Sequence, residues 1–206
     1  MANTALDFKH RYLAGAAGAP TLLLLHGTGG DENDLLGLGQ TLLPGAGLLS
    51  PRGKVMEGAS PRFFRRLAAG VFDLEDLRLR TDELAEFITS GAGQYGFDPA
   101  RVIAVGYSNG ANIAASLLLR HPGALSAAVL LHAMTPFVPE TPPALDGTPV
   151  LITAGRVDPM VPAANVEQLA RILNDSGADV SLRWSPGGHG LTEAEVDAAT
   201  QWLAAL

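Results

Sequence analysis

Short, unbroken apolar runs recur along the chain, and stretches with helical spacing separate them. Four of these runs are TLLLL at 21–25, VIAV at 102–105, AAVLL at 127–131 and VLITA at 150–154. Runs of this length without polar alternation are typical of strands buried on both faces of a parallel sheet. Because helical stretches lie between them, the pattern predicts an α/β fold, in which helices flank a mostly parallel central sheet.

Helical spacing is clearest in three stretches. Residues 82–90 and 109–121 repeat apolar side chains every three to four positions. Thr192 and Glu195 have the spacing of a capping box, which predicts a final helix after them.

Three long connections interrupt this alternation, at 27–45, 51–75 and 133–148. The second is charged, and we expect it to be irregular. The first and third connections begin at the carboxyl ends of predicted strands, which is where open parallel sheets bind their ligands. We therefore expect the functional site at that edge of the sheet.

Length and composition predict a single α/β domain spanning residues 1–206. The chain is 47% hydrophobic and has no Cys, which excludes disulfides, thiolate zinc sites, iron–sulfur clusters and a cysteine nucleophile. Its formal net charge of −7 argues against a nucleic-acid partner. Residues 1–20 carry charges where a signal peptide needs an apolar run, and no stretch is apolar enough for a membrane span. These features predict a cytoplasmic protein.

The pentapeptide Gly106-Tyr107-Ser108-Asn109-Gly110 has the form G-x-S-x-G. It directly follows the run VIAV and opens a predicted helix, which is the context of a nucleophile elbow. A glycine-rich strand–helix turn with an incidental serine is the alternative. The context favours Ser108 as a nucleophile, with the helix N-terminus facing the developing negative charge.

A nucleophilic serine needs a histidine base, and this fold places the acid and the base after it in the chain. His121 ends the helix that Ser108 opens, roughly 20 Å away along its axis, so it cannot reach back. His132 ends the run AAVLL and is expected at the sheet end or in the pocket. His189 lies in a Gly-rich loop before the last helix, so the sequence favours His189 as the base.

Six acidic residues lie between Ser108 and His189: Glu140, Asp146, Asp158, Glu167, Asp175 and Asp179. Asp158 follows the run VLITA and therefore lies beyond the carboxyl end of a strand. An Asp-Pro turn is the alternative interpretation of Asp158. The whole arrangement favours Asp158 as the residue that orients His189.

His26-Gly27-Thr28-Gly29-Gly30 follows the first apolar run. Small residues there let the backbone approach a substrate, so we expect the Thr28 and Asn109 N–H groups to form an oxyanion hole. His26 is expected to be structural. The alternative of a nucleotide-binding loop fails, because Glu32 occupies the third glycine position and no Gly-Lys-Ser/Thr follows.

Residues 52–66 hold five of the 14 basic side chains and one acid, Glu57. An acidic stretch follows at 73–86. Local ion pairing that orders a long loop is the favoured interpretation. A clamp for an anionic or phenolic substrate, with Phe63 and Phe64 as an aromatic wall, is the alternative.

Several stretches together resemble the phospholipase/carboxylesterase branch of the α/β-hydrolase superfamily, in particular small bacterial carboxylesterases associated with hydroquinone resistance. The resemblance covers nearly the whole chain, and these stretches carry it: LLHGTGGDENDLLGL at 24–38, SPRG at 50–53, PRFFRRL at 61–67, GVFDLEDL at 70–77, GYSNGANIAASLLL at 106–119, GRVDP at 155–159 and GGHGL at 187–191. It implies a serine ester hydrolase with Ser108, Asp158 and His189 as the triad. It also implies Thr28 and Asn109 as oxyanion donors, and neither a metal nor a cofactor.

We therefore expect an α/β-hydrolase without a large cap domain that hydrolyses small-molecule esters with short acyl or aryl groups. The same family contains lysophospholipases and acyl thioesterases, and a catalytically silent ligand-binding protein is a further alternative. The oligomeric state, including a homodimer, stays open. Six side chains are expected to form the substrate pocket: Phe63, Phe64, Met134, Phe137, Met160 and Val161.

Overall fold

A computed structural model describes residues 6–206 of the chain. The strands are β1 His10–Leu13, β2 Thr21–Leu25, β3 Gly47–Pro51, β4 Val55–Glu57, β5 Ser60–Arg62, β6 Arg66–Ala68, β7 Val71–Phe72, β8 Val102–Tyr107, β9 Ala127–Leu131, β10 Pro149–Gly155 and β11 Asp179–Ser185. The α-helices are α1 Leu36–Leu42, α2 Leu74–Tyr95, α3 Asn109–Arg120, α4 Ala163–Asp175 and α5 Glu193–Leu203, and a 3-10 helix covers Pro99–Arg101.

A seven-stranded central sheet has the order β1-β3-β2-β8-β9-β10-β11. All neighbouring strands are parallel except β1, which pairs antiparallel with β3 at one edge. The four apolar runs are strands β2, β8, β9 and β10, in the middle of the sheet. The predicted α/β-hydrolase architecture, with a mostly parallel sheet flanked by helices, is thereby confirmed.

Helices cover both faces of this sheet, which explains why its central strands are apolar without alternation. Leu23 and Leu25 of β2 belong to one apolar cluster, together with side chains of α2, α3 and α4. Leu22 and Leu24 belong to a second cluster, together with side chains of α1 and α5. Each central strand thus buries its successive side chains alternately in two cores.

The expectation of an irregular segment over 51–75 was wrong. This connection contains two antiparallel hairpins, β4–β5 and β6–β7, built from strands of two or three residues. Strands this short carry too few positions for a period to be visible in the sequence. Helix α2 follows, with its N-terminus capped by the Asp73 side chain, and Gly96 ends it in the left-handed conformation.

Across residues 6–206 no large cap domain lies over the sheet, and the long connection from β9 to β10, residues 132–148, contains neither helix nor strand. In the same part of the chain, no helix has the length and apolar character needed to cross a membrane. The sequence of residues 1–20 was not expected to be a signal peptide, and residues 1–5 of that stretch lie outside the described residues.

Candidate active site

Ser108 lies between β8 and α3, in a backbone conformation that side chains rarely adopt. Its φ is 52° and its ψ is −114°, and its N–H donates to the Leu131 carbonyl on the neighbouring strand. The flanking glycines leave the room that this turn needs. A Cβ on Gly106 would lie 2.6 Å from the Gly110 carbonyl oxygen, and one on Gly110 would lie 1.9 Å from that of Leu25. The glycines of the pentapeptide are therefore a steric requirement of the turn.

Three side chains from separate loops form a continuous hydrogen-bonded chain. His189 Nε2 lies 2.9 Å from Ser108 Oγ, and His189 Nδ1 lies 2.7 Å from Asp158 Oδ2. The Tyr107 hydroxyl donates to the His189 carbonyl at 2.8 Å and so ties the His189 loop to the end of β8. The residues that the sequence favoured as nucleophile, base and acid are brought together in that order.

The side chain of Asp158 is almost fully buried, with 1% of it exposed. Burial alone would raise its pKa. Hydrogen bonds from His189 and from the Met160 and Val161 N–H groups outweigh this effect of burial. The pKa of Asp158 is therefore lowered from its ordinary value. The carboxylate is therefore ionised at neutral pH, which suits an acceptor that orients a histidine.

Thr28 and Asn109 both border the cavity next to Ser108. Within residues 6–206, the backbone N–H of neither donates to another protein group. Their side chains are held in place: Thr28 Oγ1 accepts from Arg62 at 2.7 Å, and Asn109 Oδ1 accepts from the Phe63 N–H at 2.8 Å. Two backbone N–H groups without a protein partner, on residues that border the same cavity as Ser108, suit an oxyanion hole.

A cavity of about 420 Å³ opens beside Ser108 and His189. Of the six expected pocket residues, Met134, Met160 and Val161 line it. His132, expected at the sheet end or in the pocket, also lines the cavity, as do Arg62 and Arg66 of the stretch named as an alternative substrate clamp. Sequence analysis missed the other lining residues, namely Ala69, Gly70, Phe72, Asn112, Pro159 and Pro162. Several of the lining residues belong to hairpins β4–β5 and β6–β7, which the sequence did not indicate.

Phe63, Phe64 and Phe137 do not line this cavity, so their assignment to the pocket was wrong. Phe63 and Phe64 are at most 1% exposed and belong to the apolar core. The Phe63 ring packs on His26 with ring centres 4.7 Å apart, and Phe64 packs edge-on against Phe72 at 5.0 Å. Phe137 packs against the same core. Phe72 is the phenyl ring that reaches the cavity, from β7.

The basic side chains of residues 52–66 all have acidic partners nearby. Salt bridges join Arg52 to Asp31 and Glu32, Lys54 to Glu83, Arg62 and Arg66 to Glu57, and Arg65 to Asp73. This agrees with local ion pairing as the main role of the stretch. Arg62 and Arg66 nevertheless border the cavity as well.

The other histidines differ sharply in their surroundings. His26 is satisfied by backbone groups: its Nδ1 contacts the Gly27 carbonyl at 2.7 Å, and its Nε2 accepts from the Gly53 N–H at 3.0 Å. Burial lowers the pKa of His26, in keeping with a neutral, structural ring. His121 lies at the opposite end of α3 from Ser108, where its Nε2 is 2.7 Å from Asp82 Oδ1. His132 is fully buried beside Asp158.

His132, Asp158 and His189 could in principle hold a metal ion, because their ligand atoms lie within 4.8 Å of one another. The His189 and Asp158 atoms are already joined by a hydrogen bond of 2.7 Å. A metal would have to break the link between Asp158 and His189. We therefore assign no metal role to these residues.

The strand–serine–helix turn, with a histidine and an aspartate on later loops of the same sheet edge, is the architecture of an α/β-hydrolase. Residues 70–204 match the model of the dienelactone hydrolase family, and the chain belongs to this family. It is 50% identical to MhqD of Bacillus subtilis (strain 168), a protein named as a hydrolase, over 94% of this chain and 96% of that one.

Two solved structures extend this likeness. The Bacillus cereus carboxylesterase superposes with a TM-score of 0.94 at 47% identity, covering 96% of this chain and 94% of that one. The carboxylesterase from Mesorhizobium loti gives a TM-score of 0.91 at 32% identity, covering 100% of this chain and 98% of that one. The resemblance to small bacterial carboxylesterases is confirmed.

Proposed function

We propose that the protein is a serine carboxylesterase that hydrolyses small esters through an acyl-enzyme intermediate. The observation that carries this proposal is the hydrogen-bonded chain from Ser108 through His189 to Asp158. Ser108 is exposed to a cavity at the N-terminus of α3, where a substrate carbonyl can approach it. The carboxylesterase relatives described above support the same activity.

The reaction follows from the roles of these groups. Ser108 Oγ attacks the ester carbonyl while His189 Nε2 accepts its proton, and Asp158 stabilises the resulting imidazolium. The Thr28 and Asn109 N–H groups stabilise the oxyanion of the tetrahedral intermediate. His189 then protonates the leaving alcohol, which leaves an ester between the acyl group and Ser108. Water, deprotonated by His189, attacks that ester and releases the acid and free Ser108.

The cavity favours a small substrate. Phe72, Met134 and Val161 give it an apolar wall that suits a short acyl chain or an aromatic ring. We propose that one domain carries the whole reaction, because every group named above lies on the same sheet edge. We further propose a cytoplasmic location and no nucleic-acid partner.

The test is turnover of aryl acetates and butyrates together with labelling by a fluorophosphonate. We expect wild type to show both, and Ser108→Ala to lose both while keeping its Tm. Ser116→Ala is the matched control. Ser116 is a buried serine of the same helix whose hydroxyl contacts Thr81, so its variant should keep turnover and labelling. Stoichiometric labelling of Ser108→Ala would show that another residue is the nucleophile.

An acyl thioesterase or lysophospholipase with the same machinery is the second candidate. Exposed apolar side chains favour it: Leu67 and Val71 lie on the hairpin that borders the cavity, and Met160 lines the cavity itself. These side chains could contact a longer acyl chain. A panel of thioesters and lysophospholipids, compared with aryl esters on the same enzyme, separates the two candidates. A protein that neither turns over these substrates nor reacts with the fluorophosphonate would instead be a silent binding protein.

A further inference from the structure

His132 occupies an unusual place beside the proposed catalytic groups. It directly follows β9, is fully buried, and has a φ of 56°, in the left-handed region. Left-handed backbone is costly for a side chain with a Cβ and persists where the surroundings require it. Among residues 6–206, only Ser108 and Asp146 share this feature outside glycine. Two of these three residues therefore lie at the candidate active site.

The ring of His132 lies between two buried carboxyl groups. Its Nδ1 lies 3.4 Å from Asp158 Oδ2, the same oxygen that contacts His189. Its Nε2 lies 3.0 Å from Glu195 Oε1. His132 therefore connects Asp158 to a second acid that the proposed reaction does not use.

Glu195 is itself held firmly. Its Oε2 accepts hydrogen bonds from the Thr192 N–H at 3.0 Å and from the Thr192 hydroxyl at 2.7 Å, which completes the capping box of α5. Within the described residues, its Oε1 is buried and contacts His132 without forming an aligned hydrogen bond. The start of α5 thus holds the Glu195 carboxyl group against the Nε2 edge of the His132 ring.

We propose that His132 is a positioning residue for Asp158, an inference that rests on the proposed esterase function. The Met160 and Val161 N–H groups hold Asp158 Oδ1, and they leave Oδ2 to His189. The His132 ring gives Oδ2 a second polar neighbour besides His189, with its Nδ1 3.4 Å away. This keeps the carboxylate from turning away from His189 during the reaction, and Glu195 keeps the His132 ring in place.

Three substitutions separate the two ends of the ring. In His132→Asn the amide nitrogen takes the place of Nδ1, and asparagine tolerates left-handed backbone, so this variant keeps the contact with Asp158. In His132→Gln the longer side chain brings its amide towards the Nε2 position and Glu195 instead. His132→Ala keeps neither contact. Ser116→Ala serves again as the control for a buried polar group lost elsewhere.

We expect His132→Ala and His132→Gln to lower kcat on a short-chain aryl ester by roughly 10–100-fold, the range that loss of a group orienting a metal-binding side chain costs in metalloenzymes. KM should change by less than about threefold. His132→Asn should stay within about threefold of wild type in kcat, although its Tm falls with the others. A purely structural role predicts that kcat follows Tm in all three variants, and that result would overturn the proposal. Unchanged kcat in His132→Ala would overturn it as well.

A second measurement does not depend on turnover. The proton between His189 Nδ1 and Asp158 should give a low-field resonance in the proton NMR spectrum of wild type and of His132→Asn. We expect it to be lost or broadened in His132→Ala, and an unchanged resonance there would contradict the positioning role. If wild type shows neither turnover nor fluorophosphonate labelling, the proposed function fails, while the resonance still tests the contact between His132 and Asp158.

Discussion

Asp158 shows how a single side chain is prepared for its proposed role. Backbone N–H groups hold one carboxylate oxygen, and histidine rings face the other. Burial opposes ionisation, but these donors outweigh it and keep the pKa of Asp158 below its ordinary value. An ionised Asp158 keeps the proton of His189 on Nδ1, so that Nε2 is free to accept the proton of Ser108.

We expect Asp158→Asn to lower kcat by roughly 10³–10⁴-fold, because the amide favours the wrong tautomer of His189. Asp146 and Asp175 are exposed and contact neither His189 nor Ser108, so Asp146→Asn and Asp175→Asn should change kcat by less than about tenfold. Steady-state kinetics on a short-chain aryl ester checks all three variants. A larger loss in Asp146→Asn or Asp175→Asn would mean that Asp158 is not the acid of the triad.

At the scale of elements, the turn from β8 into α3 depends on how closely it packs on β2. Gly110 lies against the carbonyls of Leu25 and His26, at the end of the strand that leads to Thr28. No side chain fits there, because these neighbours are backbone atoms of a central strand and cannot move aside. The Ser108 turn and the candidate oxyanion loop are therefore held in register by direct backbone packing.

Two glycine substitutions test this packing. We expect Gly110→Ala to be strongly destabilised or to accumulate as insoluble protein, and any folded fraction to have lost turnover. Gly93→Ala is the matched control: Gly93 lies in α2, where an added Cβ meets no atom within 4 Å. It should stabilise the protein by about 0.5–1 kcal/mol, the cost of glycine in a helix. Urea unfolding measures both, and equal stability of the two variants would contradict the packing argument.

The sequence predicted those strands that form unbroken apolar runs. Strands β2, β8, β9 and β10 are buried on both faces, so their apolar runs are visible in the sequence alone. Edge strand β1 alternates partly buried and exposed side chains over only four residues, too few to stand out. The strands of hairpins β4–β5 and β6–β7 are shorter still, and only their tertiary contacts define them.

At the scale of the whole molecule, the sequence predicted which candidate catalytic side chains lie together better than it predicted the walls of the cavity beside them. Ser108, Asp158 and His189 follow from chain order and strand ends, since the fold brings those ends to one edge. Which residues line the pocket depends on where each side chain points, and this is hard to predict from sequence. Residues 63, 64 and 72 are an example. All three are phenylalanines near the site, yet only Phe72 faces the cavity. The contact between His132 and Glu195 joins two distant loops, and no local pattern indicates it.

The size of the cavity sets the final prediction, which concerns acyl-chain length. At about 420 Å³, with Ser108 and His189 on its wall, the cavity holds a short acyl group and a ring but leaves a long chain outside. Each methylene that is buried contributes about 0.8 kcal/mol, whereas one left in water contributes nothing. We therefore expect kcat/KM on aryl esters to rise up to about butyrate and then to level off or fall, without interfacial activation. Matched series of aryl esters from acetate to palmitate, assayed below their micelle concentrations, provide the measurement. If kcat/KM instead rises from C4 through C12, and Leu67→Ser or Met160→Ser abolishes that rise, the exposed apolar side chains form an acyl track. The thioesterase or lysophospholipase function would then take precedence.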